Sequence, residues 1–131
     1  MAIKEILRMG NPLLREKSIL VPMEDIKTDQ TKALTEDLFD TMKENDGIGI
    51  AAPQIGVNIQ LAIVGIEEEN PRYPDQNSTK FYTIFNPTIK ILDNETQGFW
   101  EGCLSVPYLR GLVERPRKVQ IDYLDENATE Q

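Results

Sequence analysis

Apolar and polar positions follow different rhythms along this chain. Across residues 29–45, Leu34, Leu38 and Met42 recur at four-residue steps with Phe39 alongside, while charged residues fill the opposite face. That spacing predicts an amphipathic helix whose apolar stripe faces a core. Thr28 or Asp29 can cap its start, and Gly47 suits a left-handed position just past its end. Asn11-Pro12 predicts a shorter helical turn, with Asn as the cap, Pro in the first helical position, and Leu13 and Leu14 available to pack it.

The period then shortens. Ile59 to Ile66 is nearly all apolar, as a strand buried on both faces would be. Phe81–Phe85 and Thr88–Leu92 read as two strands interrupted by Asn86-Pro87. Between them and the first strand, Glu67 to Lys80 carries two prolines, two asparagines and many charges, which predicts a long, exposed and mobile loop. Lys118 to Leu124 alternates, with Val119, Ile121 and Tyr123 on one face. Asp125 to Gln131 is polar turn material. The pattern describes one α+β domain over residues 1–131, with an end that looks unfinished.

Composition narrows the function classes. The 131 residues are 40% apolar and 27% charged, with 14 basic against 22 acidic side chains and a net charge of −8. A phosphate backbone would be repelled, so nucleic acid is not an expected direct ligand. No apolar run approaches the ~18 residues of a membrane span, and charges interrupt the first 20 residues, unlike a secretory or transit leader. The expected compartment is the cytoplasm, which suits a single reduced thiol.

Two segments carry candidate chemistry. Residues 47–56, Gly-Ile-Gly-Ile-Ala-Ala-Pro-Gln-Ile-Gly, contain Gln54, a neutral amide that can donate to an oxygen gaining negative charge. Taken alone the run reads equally well as a helix end followed by a small-residue turn. Residues 99–107, Phe-Trp-Glu-Gly-Cys-Leu-Ser-Val-Pro, hold the only cysteine, in a chain with no histidine. An isolated cysteine is more often a small buried hydrophobe than a ligand. As a thiolate, Cys103 could bind a divalent metal, with Gly102 permitting close approach and Leu104 offering a backbone N–H.

Together, in this order, the two segments resemble the first and second motifs of the peptide deformylase family, metalloenzymes that remove the formyl group from the N-terminal methionine of new proteins. The resemblance extends to the Asn-Pro-Leu-Leu-Arg opening, the helix ahead of the first motif and the strand order. It implies a deformylase-like α+β fold, with antiparallel or mixed sheets around helices. It implies that Cys103 is the thiolate metal ligand, and that Gln54 and the Leu104 N–H polarise the formyl oxygen. Ile48 and Gly49 match the segment that lies along the peptide as an extra strand, Gly102 the substrate-lining position beside the metal, and Arg110 an arginine reaching the distal peptide backbone. A solvated surface charge is the plainer reading of Arg110. The implied metal is Fe²⁺, with Ni²⁺ or Zn²⁺ as alternatives. The implied partners are N-formyl-methionyl nascent peptides near the ribosome, with no membrane.

The family's third motif, His-Glu-x-x-His on a helix, has no counterpart here, and Glu114, Glu126 and Glu130 stand in no such frame. Two metal ligands and the proton-carrying glutamate are therefore wanting. The sequence predicts a C-terminally incomplete deformylase domain lacking its metal-binding helix, inactive alone and holding no stoichiometric metal. The alternative is a natural metal-free paralogue that keeps the peptide groove without catalysis.

Overall fold

The computed structural model describes residues 2–68 and 78–131. A 3₁₀ turn at Pro12–Arg15 is capped by Asn11, whose side chain accepts the Leu13 N–H at 3.0 Å. Helix α1, Asp29–Glu44, starts at Thr28, whose hydroxyl accepts the Thr31 N–H. Four strands follow: β1 Gly49–Ala51, β2 Leu61–Glu68, β3 Ser78–Cys103 and β4 Val106–Leu124. They form one antiparallel sheet in the order β1-β2-β3-β4, so β1 is an edge. A parallel bridge, Ile19 to Ile59, helps tie the N-terminal segment to the body. No helix among the described residues is long and apolar enough to cross a membrane.

The core lies where α1 packs on the first half of the sheet. Leu38 and Met42 of the predicted stripe are fully buried, and Leu34 and Phe39 pack beside them against Ile50, Leu61, Ile63 and Phe85. Complete burial of one such side chain is worth roughly 1.5–3 kcal/mol. Thr41, on the same stripe, is buried too, and its hydroxyl accepts the Lys4 N–H at 2.8 Å. The N-terminal segment is thereby fastened to the helix. Beyond Phe85, Ser105 is the one described residue that is buried.

Several expectations are corrected. The left-handed residue after α1 is Asp46, with φ 55, rather than Gly47. Asp46 N–H donates to Lys43 O and Gly47 N–H to Met42 O, a Schellman pair that closes the helix one residue earlier. Gly47 is needed for space instead. A Cβ there would stand 2.7 Å from Leu104 Cδ1 and 3.3 Å from Met42 Cγ.

Strand β2 is not buried on both faces. Leu61 and Ile63 are buried, whereas Val64 is 37% and Ile66 51% exposed. The strand is antiparallel, so one face can remain open. The stretch expected as a long loop is shortened from both ends, since β2 runs to Glu68 and β3 starts at Ser78. Residues 69–77, the centre of that expected loop, lie outside the described residues. Asn86-Pro87 does not separate two strands either. β3 passes through it at a bulge, with Asn86 at φ 51, and pairing resumes at Thr88 opposite Asp122.

The polar end forms a turn that comes back onto β4. Tyr123 and Gln131 exchange backbone hydrogen bonds of 3.2 and 3.0 Å, and Leu124 bridges Glu130. The Asp125 carboxylate organises it, accepting the Asn127 and Thr129 N–H groups on one oxygen and the Gln131 amide on the other. The Thr129 N–H foremost, then the Gln131 and Asn127 donors and the Lys27 charge, hold its pKa below the ordinary aspartate value, against a smaller upward push from desolvation. A depressed carboxyl pKa gives stability that is present above the unfolded-state pKa and lost as pH falls through the folded-state value. A carboxyl NMR titration should therefore place the Asp125 midpoint below that of Asp in a short peptide. The Asn127 and Thr129 amides should shift with the same midpoint. A midpoint at or above the peptide value would remove this carboxylate as the organiser of the turn.

Candidate active site

Both motif segments converge on one cleft of about 1370 Å³. All seven residues implied by the resemblance line it: Ile48, Gly49, Gln54, Gly102, Cys103, Leu104 and Arg110. The first segment makes a sharp turn there. β1 leads into a 3₁₀ turn at Ala52–Ile55, with Pro53 in its first positions, and Gly56 ends it at φ 85. Gln54 reaches back across this turn, and its Oε1 accepts the Ala51 N–H at 2.9 Å. Its backbone carbonyl also accepts the Leu7 N–H at 2.7 Å.

That anchorage fixes the polarity of the amide. With Oε1 occupied by a backbone donor, the NH₂ end points to the second segment. Nε2 donates to Ser105 Oγ at 3.0 Å and stands 3.8 Å from Cys103 Sγ, a weak N–H···S contact. Ser105 is itself only 5% exposed, and its carbonyl accepts the Met9 N–H. Leu104 and Ser105 form the two-residue turn between Cys103 and Val106, which pair across the hairpin. The Leu104 side chain folds back over Gly47, joining the two segments on their inner side.

Cys103 is exposed, which removes the buried-hydrophobe reading. Two residues before it, Glu101 is gripped by Arg115, whose Nε and Nη2 donate at 2.9 and 2.7 Å. This fork-shaped pair holds the Glu101 carboxyl below its ordinary pKa and raises that of Arg115. It offsets the negative charge nearest the thiol along the chain. Among the described residues, no three His, Cys, Asp or Glu side chains come together as a set for a metal ion. One thiolate in a chain without histidine does not by itself fit a closed or catalytic site.

Edge strand β1 borders the same cleft. Gly65 of β2 makes its approach possible, donating its N–H to Ile48 O at 2.7 Å. A Cβ on Gly65 would meet Phe81 Cε1 at 2.8 Å, and Ile48 Cγ1 and Ile48 O at 3.0 Å each. Nothing in the local sequence marks Arg115 or Gly65 as part of the site, and Ser105 carries only a weak signal. Ser105 at least lies inside the Glu-Gly-Cys-Leu-Ser run, but Arg115 and Gly65 matter only through pairing across the sheet.

The family model for polypeptide deformylase matches residues 3–131. The chain belongs to this family. It is 48% identical to a peptide deformylase of Leptospira biflexa over 130 residues, covering 99% of this chain and 73% of the relative. It is 46% identical to peptide deformylase 1 of Bordetella pertussis, covering 94% of this chain and 68% of the relative. Among solved structures it superposes on a Met-Ala-Ser-bound class I type b peptide deformylase from Acinetobacter baumannii with a TM-score of 0.87 at 32% identity, covering 99% of this chain and 81% of the other. Deformylases are metal-dependent hydrolases that act on peptides, and the α+β fold with its antiparallel sheet is theirs.

Proposed function

We propose that this chain holds the amino end of a formyl-methionyl peptide along β1 and polarises its formyl oxygen. Hydrolysis adds water to the formyl carbon, breaks the C–N bond, and leaves formate and a free amine. Gln54 Nε2 and the Leu104 N–H donate to the oxygen as it gains negative charge. Ile48 and Gly49 offer backbone groups to an added strand, Gly102 gives close access, and Arg110 reaches the distal peptide backbone. Cys103 is the thiolate ligand of the family's metal, Fe²⁺ with Ni²⁺ or Zn²⁺ as substitutes, once further donors stand beside it. The setting is a single domain acting on nascent chains near the ribosome in the cytoplasm.

The observation that carries this reading is the locked amide. Its oxygen accepts Ala51 N–H, so its donor end is turned to the second segment, onto buried Ser105 and beside exposed Cys103. The open edge of β1 and the peptide bound to the Acinetobacter relative support the groove.

Binding tests the groove without any need for turnover. Titration with formyl-Met-Ala-Ser should shift the amide signals of Ile48, Gly49 and Gly102. Gly65→Ala should weaken that binding about tenfold and cost about 1–3 kcal/mol of stability, because the new methyl presses on Ile48 O and Phe81. Shifts confined to other surfaces, or unchanged affinity in Gly65→Ala, would remove β1 from the groove.

A further inference from the structure

The β3–β4 hairpin loses its register beside the candidate site. Gly102 pairs with Arg110, yet the next residue, Cys103, pairs with Val106. Pro107, Tyr108 and Leu109 thus have no partner across the ladder and form a bulge on the cleft wall. Bulges of this kind re-aim side chains next to active sites.

Tyr108 in this bulge has φ 67. An aromatic residue holds a left-handed backbone only at a cost, because its Cβ crowds the following carbonyl. The fold gains nothing from the ring in return, since Tyr108 is 99% exposed. Strain without a folding return, on the wall of a binding cleft, points to a ligand. Trp100 and Leu109, both exposed, line the same cleft.

We propose that Tyr108 is a specificity-determining residue whose ring, with Trp100 and Leu109 nearby, receives an apolar or aromatic side chain of the bound peptide beyond its methionine. This rests on the groove reading above. With the formyl group at Gln54 and Cys103, the part of the peptide that reaches the exposed rim is the part downstream. Aromatic faces favour apolar and aromatic partners there over small polar ones.

The test compares formyl-Met-Ala-Ser, formyl-Met-Phe-Ser and formyl-Met-Ala-Phe, followed by NMR or by the fluorescence of Trp100, the single tryptophan. At least one phenylalanine peptide should bind about three- to tenfold tighter than formyl-Met-Ala-Ser. Tyr108→Gly and Tyr108→Asn should lose that preference while keeping the affinity for formyl-Met-Ala-Ser, and Tyr108→Phe should retain it. The melting temperature of Tyr108→Gly should hold or rise, because glycine takes φ 67 freely. A purely structural Tyr108 would give the opposite pattern, with loss of stability in both the glycine and asparagine variants, and that would overturn the proposal. So would equal affinity of the parent chain for all three peptides, or a preference that survives Tyr108→Gly. Failure to bind any of the peptides would instead bring down the groove itself.

Discussion

Formate release from a formyl-Met peptide should stay at background for residues 1–131, and should begin when a His-Glu-x-x-His helix is joined to them in cis. The reason is the donor inventory. The described residues bring Cys103 to the cleft but no set of three ligand side chains, and the sequence holds no histidine. An open catalytic site of this type needs three protein donors. Elemental analysis of the 131-residue chain should accordingly find no stoichiometric iron, nickel or zinc at micromolar metal. Its exposed thiol should alkylate at one rate with or without chelator. In the joined chain, metal should shield Cys103 until a chelator is added, and Cys103→Ala should lose metal and turnover together. Robust turnover by residues 1–131, or identical labelling rates in the metal-loaded joined form, would sink this division of labour.

Within such a joined enzyme, Gln54→Ala should lower kcat by about 10²–10³ with little change in KM. That is the usual cost of removing one donor from a developing oxyanion. The effect falls on kcat because the carbonyl oxygen carries little charge until water adds. Gln54→Glu makes the test sharper. It keeps an acceptor for the Ala51 N–H, and with it the local turn, but has no N–H to give. It should be at least as slow as Gln54→Ala. Ser105→Ala should have a smaller effect in the same direction, since it removes the hydroxyl that steadies Nε2 at 3.0 Å and leaves the donor itself in place. Unchanged kcat in both Gln54 variants would take Gln54 out of the mechanism.

How legible all this was depended on the range of the interaction responsible. Helix α1 and the 3₁₀ turn at Pro12–Arg15 are legible because the apolar stripe, the Thr28 cap of the one and the Asn11 cap of the other are local chemistry. The cleft residues could be read because two contiguous runs carry them. The task of Gly47 is not legible locally, because the pressure on it comes from Leu104, far along the chain. The continuity of β3 is hidden in the sequence because Pro87 ordinarily ends pairing, whereas here a left-handed Asn86 absorbs the break. The open face of β2 was equally out of reach, because an apolar run does not reveal what covers it. Arg115 and Tyr108 gain their meaning from the register of one hairpin, and register is set by partners and not by composition.

The same Asn86 has a bearing on how the protein ages. Its side chain imitates a strand neighbour, accepting the Val21 N–H and donating to Val21 O, both at 2.8 Å, while its own N–H goes to Gln60 O. This clamp works only as an amide, because an acid in its place would set a carboxylate against the Val21 carbonyl. Asparagine commonly deamidates when the next residue's backbone nitrogen attacks its side chain and closes a succinimide ring. Residue 87 is proline, whose nitrogen has no hydrogen to give up. The residue that bends the strand thus also shuts the usual route of chemical decay at the joint it helps to form.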